Sequence, residues 1–440
     1  MNQKGKRRAI GMPAGGFVPD RRVLLKWMAA LPWLGYFAAQ DVWAKAQKAA
    51  KLSFTDNIYT RIGVRPIVNA RGTWTFLSGS LELPEVRAAM QQAAGHFVDM
   101  FELQRGAGRR LAELSGFESG MVTAGAAAAM ATATAACIAG TDPDRIWQLP
   151  DTTGLKGEVI LLGGRSAFDS AIRAAGGKLV LARTPEDLKA AINEKTAMVY
   201  STDTGACLER ALAVTKQAGV PMLVDWAANI PPFENLSLAA KLGADLFTVS
   251  GGKGLCGPQC AGLLLGRKDL IEAALANSSP WEGAVCRPMK VGKEEIMGML
   301  AAVEAWKHKD LPSLNREWNG RVERIARIVE TVPGVKTRIE IPADGNSYPT
   351  LTVTWDEAAF KLPVADCVAK LRDGEPRIEV MSSSNPSLVL HRDARAADPK
   401  APRGEHPNLL QIVSMTLQPG EDLIVGKRLR EVLNEARKNA

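Results

Sequence analysis

The chain has 440 residues, 46% hydrophobic and 23% charged, a globular composition long enough for more than one domain. Its net charge of +8 is uneven: residues 1–50 carry nine lysines and arginines against Asp20 and Asp41, and the remainder is close to neutral. A body so balanced gives no reason to expect strong binding along a phosphate backbone, and six cysteines in so long a chain do not form a disulfide framework.

Residues 1–46 read as an export signal. Asp20-Arg21-Arg22-Val23-Leu24-Leu25-Lys26 resembles the twin-arginine pattern, and the apolar run 27–39 has the length of a signal core but is short for a membrane span. Ala44-Lys45-Ala46 then offers a small-x-small cleavage site. The expected location is the periplasm, reached through the twin-arginine export machinery; a cytoplasmic or membrane-anchored protein is the alternative.

Residues 47–120 form an N-terminal helical lead-in. A short strand within 58–69 runs into a turn at Ala70-Arg71-Gly72-Thr73, and helical periodicity follows over 83–100, opened by Pro84-Glu85. The helical pattern continues to a break at Gly116; Gln104 lies on it as a candidate substrate contact. From 121 to 314, strands at 158–162, 178–182, 197–201, 222–224 and 246–249 alternate with helix-sized segments, which predicts a large doubly wound α/β domain with a mainly parallel sheet. Beyond 315 the pattern is that of a small C-terminal α+β domain. Its strands are expected at 335–341, 350–355, 378–381, 388–391 and 410–417, its helices at 317–332, 364–372 and 421–436, with a polar loop over 393–407.

The stretch 220–266 carries the chemistry. The strand at 222–224 ends on Asp225, and the strand at 246–249 ends shortly before Lys253. Ligands of an open parallel sheet sit beyond the carboxyl ends of its strands, so both side chains should reach one crevice. A lysine that can form a Schiff base and an acid that can keep a pyridine nitrogen protonated together suit pyridoxal 5'-phosphate. Taken singly, the lysine reads as a surface residue and the aspartate as a helix cap. Upstream, Thr123-Ala124-Gly125-Ala126-Ala127 begins an alanine-rich helix whose open N–H groups suit a phosphate, or whose small residues serve tight packing. Downstream, Arg287, Lys290 and Lys293 stand three apart in a loop that is either an anion contact or solvated surface. Cys256, Cys260 and Cys286 and the scattered histidines lack metal-ligand spacing, so no metal is expected.

From about Asn57 onward the chain resembles fold type I pyridoxal-phosphate enzymes of the selenocysteine synthase (L-seryl-tRNA selenium transferase) and D-glucosaminate-6-phosphate ammonia-lyase family. The matching motifs are Gly63-Val-Arg-Pro-Ile-Val-Asn69, Val122-Thr-Ala-Gly125-Ala-Ala, Leu149-Pro-Asp-Thr-Thr-Gly154, Val224-Asp225-Trp-Ala-Ala, Ser250-Gly-Gly-Lys253-Gly-Leu-Cys-Gly-Pro-Gln259 and Arg287-Pro-Met-Lys290-Val-Gly-Lys293. The resemblance implies Lys253 as the Schiff-base lysine, Asp225 at the pyridine nitrogen, and Ser250 with Gly125, Ala126 and Ala127 at the phosphate. It places Arg287 and Lys290 toward an anionic part of the substrate; Arg165 is a further candidate substrate contact. The family pattern commonly has a histidine before the arginine that matches Arg165; here Gly164 fills that slot.

The implied reaction is removal of a Cα proton and β-elimination with ammonia release, on an amino acid or amino-sugar acid. The alternatives are a transferase performing β-replacement or aminotransfer, and a catalytically weakened binding protein on the same fold. The resemblance also implies a homodimer or larger homo-oligomer. Because the signal-like start occupies the place of a tRNA-binding domain, tRNA is not expected as the substrate.

Overall fold

The structure, a computed structural model, describes residues 56–342, 345, 347–382 and 409–438. The expected export signal, the strand expected at 388–391 and the loop 393–407 lie outside the described residues. The chain up to Pro66 is a separate unit. Its described part holds a 3-10 turn, Thr60–Ile62, that ends on Gly63 in the left-handed region at φ 77°.

From Ile67 the chain builds two sheets. In order the strands are β1 Ile67–Ala70, β2 Ser119–Thr123, β3 Glu158–Leu162, β4 Lys178–Ala182, β5 Thr196–Ser201 and β6 Met222–Asp225. They continue with β7 Leu246–Ser250, β8 Gly262–Gly266, β9 Lys336–Glu340, β10 Thr350–Thr354, β11 Arg377–Ser382 and β12 Leu410–Val413. The seven-stranded sheet runs β2-β8-β7-β6-β5-β3-β4. Its β3, β4, β5, β6 and β7 pair in parallel, while β8 is antiparallel to both neighbours. The expected mainly parallel α/β sheet is therefore present.

Alternation along its strands sends side chains into two cores. Ile160, Val199, Val224 and Phe247 pack with Leu111, Leu208 and Leu212 on one face. Val159, Met198, Leu223 and Leu246 pack with Ala129, Met130 and Ile271 on the other. Strands covered on both faces read as continuous apolar runs, which is why these segments were legible.

The five-stranded sheet, β1-β11-β12-β10-β9, draws β1 from the lead-in and pairs it in parallel with β11. Helices Leu311–Val329 and Glu421–Lys438 pack against each other beside it. No helix among the described residues is long and apolar enough to cross a membrane.

Several elements differ from expectation: β2 was not among the expected strands, the strand expected over 410–417 ends at Val413, and the helix expected over 317–332 starts at Leu311. The helix expected over 83–100 stops at Ala94, and a new helix, Met100–Ser115, starts after Asp99, whose carboxylate accepts the N–H of Glu102 at 2.9 Å. That capping bond competes with continuation of the helix. The strand β8 was not foreseen, because it follows the glycine-rich turn that holds Lys253.

Helix Met100–Ser115 lies directly on β2: a Cβ at Gly108 would sit 2.1 Å from the carbonyl oxygen of Gly120. Gln104 belongs to the same contact, donating to the Val122 carbonyl at 2.8 Å and accepting the Val122 N–H at 3.1 Å. Gly108→Ala is expected to cost about 1–3 kcal/mol by overpacking. A fall in the denaturation midpoint with an unchanged slope checks it.

Candidate active site

The carboxyl ends of β6 and β7 deliver the central pair. Asp225 is the last residue of β6 and is buried. Its Oδ2 accepts the hydroxyl of Tyr200, from β5, at 2.8 Å, and its Oδ1 accepts the N–H of Ala227 at 2.9 Å. Burial pushes the Asp225 carboxyl above the ordinary range; the bonds from Tyr200 and Ala227 and the charge of Lys253 offset this only in part. Burial likewise pushes the Lys253 amine below the ordinary lysine range, with Asp225 drawing it partly back. A buried carboxyl and a half-buried amine thus lie within electrostatic reach, and neither is fully compensated.

The turn that carries Lys253 is tightly determined. Gly251 donates to Ala261 at 2.8 Å, Gly257 to Gly251 at 2.9 Å and Cys256 to the Lys253 carbonyl at 3.0 Å. A Cβ at Gly254 would fall 1.7 Å from the Ile230 carbonyl oxygen, and one at Gly251 would fall 2.6 Å from Met299 Sδ. The indole of Trp306 donates to the Leu255 carbonyl at 2.8 Å. The lead-in is strapped onto this turn: Ser80 donates to Gly252 at 2.9 Å, Leu83 to Cys256 at 3.0 Å, and the Gln259 amide to Thr75 at 2.9 Å.

A second feature is the start of helix Ala126–Ala139. Gly125, at φ 93°, precedes it without a side-chain cap, and there is no acidic residue in its first turn. The first-turn N–H groups of Ala126, Ala127 and Ala128 lack intrahelical acceptors. Ala127 is exposed while the body of the helix is buried. Register brings Ser250 to the same place, since Gly262 of β8 pairs with Thr123 on one side and Ser250 on the other. A Cβ at Gly262 would lie 2.5 Å from the Gly125 carbonyl carbon and 2.7 Å from the Ala126 nitrogen. An open, uncapped helix start fits a phosphate, and a buried carboxyl short of positive charge fits a protonated ring nitrogen. The donor set therefore matches pyridoxal phosphate.

The other expected contacts fall in different places. Gln104 has both ends of its amide engaged by Val122, so it holds the frame rather than a substrate. Arg165 is ion-paired with the buried Asp169, its Nη2 3.2 Å from Oδ1, and that carboxylate holds its pKa above the ordinary arginine value. Asp169 also faces Arg173 at 3.5 Å. Gly163 and Gly164 adopt φ 93° and 129°, backbone in which an L-residue such as histidine would be strained. Arg287 is half-buried and Lys290 exposed, on a loop anchored by Cys286 against Ala131 and Ala135 of helix Ala126–Ala139. Burial raises the thiols of Cys256 and Cys286 to about 11, so both are protonated near neutral pH.

Sequence reasoning missed Tyr200, which reads as an ordinary aromatic in a buried strand, and Gly262, whose role is a close approach across two strands. Its register opposite Thr123 and Ser250 exists only after the sheet has formed.

The Aminotransferase class-V family matches residues 178–289. The chain is 33% identical to 5'-C-glycyluridine monooxygenase-decarboxylase of a Streptomyces species, over 82% of this chain and 92% of that one. It is 29% identical to D-glucosaminate-6-phosphate ammonia lyase of Salmonella typhimurium, over 87% and 99%. It is 24% identical to L-seryl-tRNA(Sec) selenium transferase of Moorella thermoacetica, over 86% and 83%. A solved D-glucosaminate-6-phosphate ammonia-lyase superposes with a TM-score of 0.71 at 28% identity, covering 87% of this chain and 99% of that one. The chain belongs to this family of fold type I pyridoxal-phosphate enzymes, and its cofactor is pyridoxal phosphate.

Tyr200→Phe is expected to weaken cofactor binding by roughly tenfold or more, the worth of a hydrogen bond to a charged group. Absorbance titration of the cofactor-free variant measures it. Gly262→Ala should weaken binding as well, by pushing side-chain carbon into the helix start.

Proposed function

We propose that the chain is a lyase that removes the Cα proton of an amino acid or amino-sugar acid and eliminates its Cβ substituent, with release of ammonia. The observation that carries this is the convergence of Asp225 and Lys253 beside an uncapped helix start. The Salmonella typhimurium ammonia lyase, similar over nearly the whole of its own length, supports the reaction class.

Bound pyridoxal phosphate supplies an aldehyde that condenses with amines and a ring that accepts the electron pair left at Cα. Asp225 would keep the ring nitrogen protonated, with Tyr200 and Ala227 orienting the carboxylate. Ser250, Gly125, Ala126 and Ala127 would hold the phosphate. Lys253 would hold the aldehyde carbon and, once exchanged for the substrate amine, take the Cα proton as a neutral base. The substrate then loses its Cβ substituent, and one water converts the released enamine to ammonia and an α-keto acid. Arg287 and Lys290 would face an anionic part of the substrate.

A transferase performing β-replacement is the second reading, favoured by the likeness to the selenium transferase. Steady release of ammonia without an added acceptor supports the lyase; turnover only with an acceptor supports the transferase. Oxygen uptake with loss of carbon dioxide would instead align the chain with the Streptomyces relative. Cofactor retained without turnover on any amine would indicate a binding protein. Export by the twin-arginine route rests on Arg21 and Arg22 with the apolar run after them. A homo-oligomer is supported by large apolar side chains left exposed, among them Phe97, Trp147 and Trp281.

Lys253→Ala should abolish the visible absorbance of lysine-bound cofactor and reduce ammonia release at least ~10³-fold, on the scale of a lost general base. An unchanged spectrum and rate would refute the assignment. Because burial lowers the Lys253 pKa, its neutral form appears at lower pH than in an ordinary lysine near ~10.4. Cofactor uptake by the cofactor-free protein should therefore rise with pH and level off below that range. In Asp225→Asn the plateau should move lower still, since the carboxylate that raises the lysine pKa is gone.

A further inference from the structure

Arg71 is a buried cation with unused hydrogen-bonding capacity. It follows β1 in a turn made by Asn69, whose side-chain oxygen accepts the N–H groups of Arg71 at 3.0 Å and Gly72 at 3.2 Å. Its guanidinium carbon lies 4.9 Å from the ring centre of Trp74 and 4.7 Å from that of Phe76. The residue is only 6% exposed, and its buried Nε makes no hydrogen bond. The rings attract the cation but leave its buried Nε without an acceptor, an expensive state for a buried donor.

The nearby acid does not complete it. Glu379, on β11, acts on Arg71 electrostatically, but its carboxylate is already held by Arg377 at 2.7 Å and Arg372 at 3.3 Å. Arg71 therefore shares this one carboxylate with two other arginines. The location is equally specific. Trp74 and Phe76 flank Thr75, whose carbonyl accepts from Gln259, and the same turn continues to Gly79 and Ser80 against Gly252, the neighbour of Lys253. A Cβ at Gly79 would lie 2.4 Å from the Gly252 carbonyl oxygen, so there is no slack between this turn and the lysine loop.

We propose that Arg71 binds the carboxylate of the amine substrate, with Trp74 and Phe76 holding the guanidinium plane. A planar carboxylate matches the fork of one guanidinium, and Arg71 would act as a specificity-determining residue for acids over plain amines. The proposal rests on the reading of Lys253 as the cofactor lysine.

The test uses cofactor-loaded protein and three probes: D-glucosaminate-6-phosphate, D-glucosamine-6-phosphate, which lacks the carboxylate, and D-glucosaminate, which lacks the phosphate. Dissociation constants come from calorimetry and the cofactor spectrum. Arg71→Met should weaken both acids roughly 10- to 100-fold, leave D-glucosamine-6-phosphate within about twofold, and leave the cofactor band unchanged. Arg71→Lys, which keeps the charge but not the fork, should fall between and covers the case in which the methionine variant fails to fold. The idea is overturned if all three probes weaken alike, if loss tracks the phosphate instead, or if neither variant changes any constant. It is overturned too if the wild type prefers no acid to its matched amine. Absence of a cofactor band from the wild type would be a separate failure, that of the proposed function.

Discussion

The structure depends on holding two incompletely compensated charges, Asp225 and Lys253, at the carboxyl edge of one parallel sheet. In a low-dielectric setting each group is pushed toward its neutral form, and their mutual attraction only partly opposes this. An apolar interior would not keep such a pair without a purpose, because burial of both groups has a cost that nearby hydrogen bonds do not cover. A protonated ring nitrogen over Asp225 and a carbonyl carbon for Lys253 would remove that imbalance. The same argument assigns value to Tyr200, whose hydroxyl steadies the carboxylate from a neighbouring strand at 2.8 Å.

Much of the surrounding chain acts to keep that pair in place. The lysine turn is closed by its own backbone bonds, covered by Trp306, and strapped by the lead-in from Thr75 to Leu83. Close approaches at Gly251, Gly254 and Gly262 leave no room for side chains, so the glycines record packing distances and not only backbone freedom. The lead-in has a second part in the fold, because β1 completes the small sheet beside β11. It thus links the C-terminal strands to the lysine loop, and Arg71 stands at the junction.

The candidate site was partly legible in the sequence. Strands β3 to β7 are short apolar runs between turn formers, and a strand end followed by a charged residue is a local pattern, so Asp225 and Lys253 could be read directly. Gln104 and Arg165 could not be judged this way. Whether a polar side chain is open to a substrate or engaged depends on what the fold brings opposite it: the β2 backbone for Gln104 and Asp169 for Arg165. The break at Gly95 was missed because the apolar periodicity continues through it, while the competing cap at Asp99 is a single hydrogen bond.

Local pattern by itself determined the parallel α/β sheet, the placing of Asp225 and Lys253 after neighbouring strand ends, and the small-residue helix start, since each rests on neighbouring residues and a period of two or 3.6. Tertiary structure alone decided that β8 runs between β2 and β7 and so brings Ser250 to Gly125, and that Tyr200 reaches Asp225. It also decided that Arg71 is buried beside two rings with its Nε unpaired. These relations join residues far apart in the chain through register and burial, which no local pattern encodes.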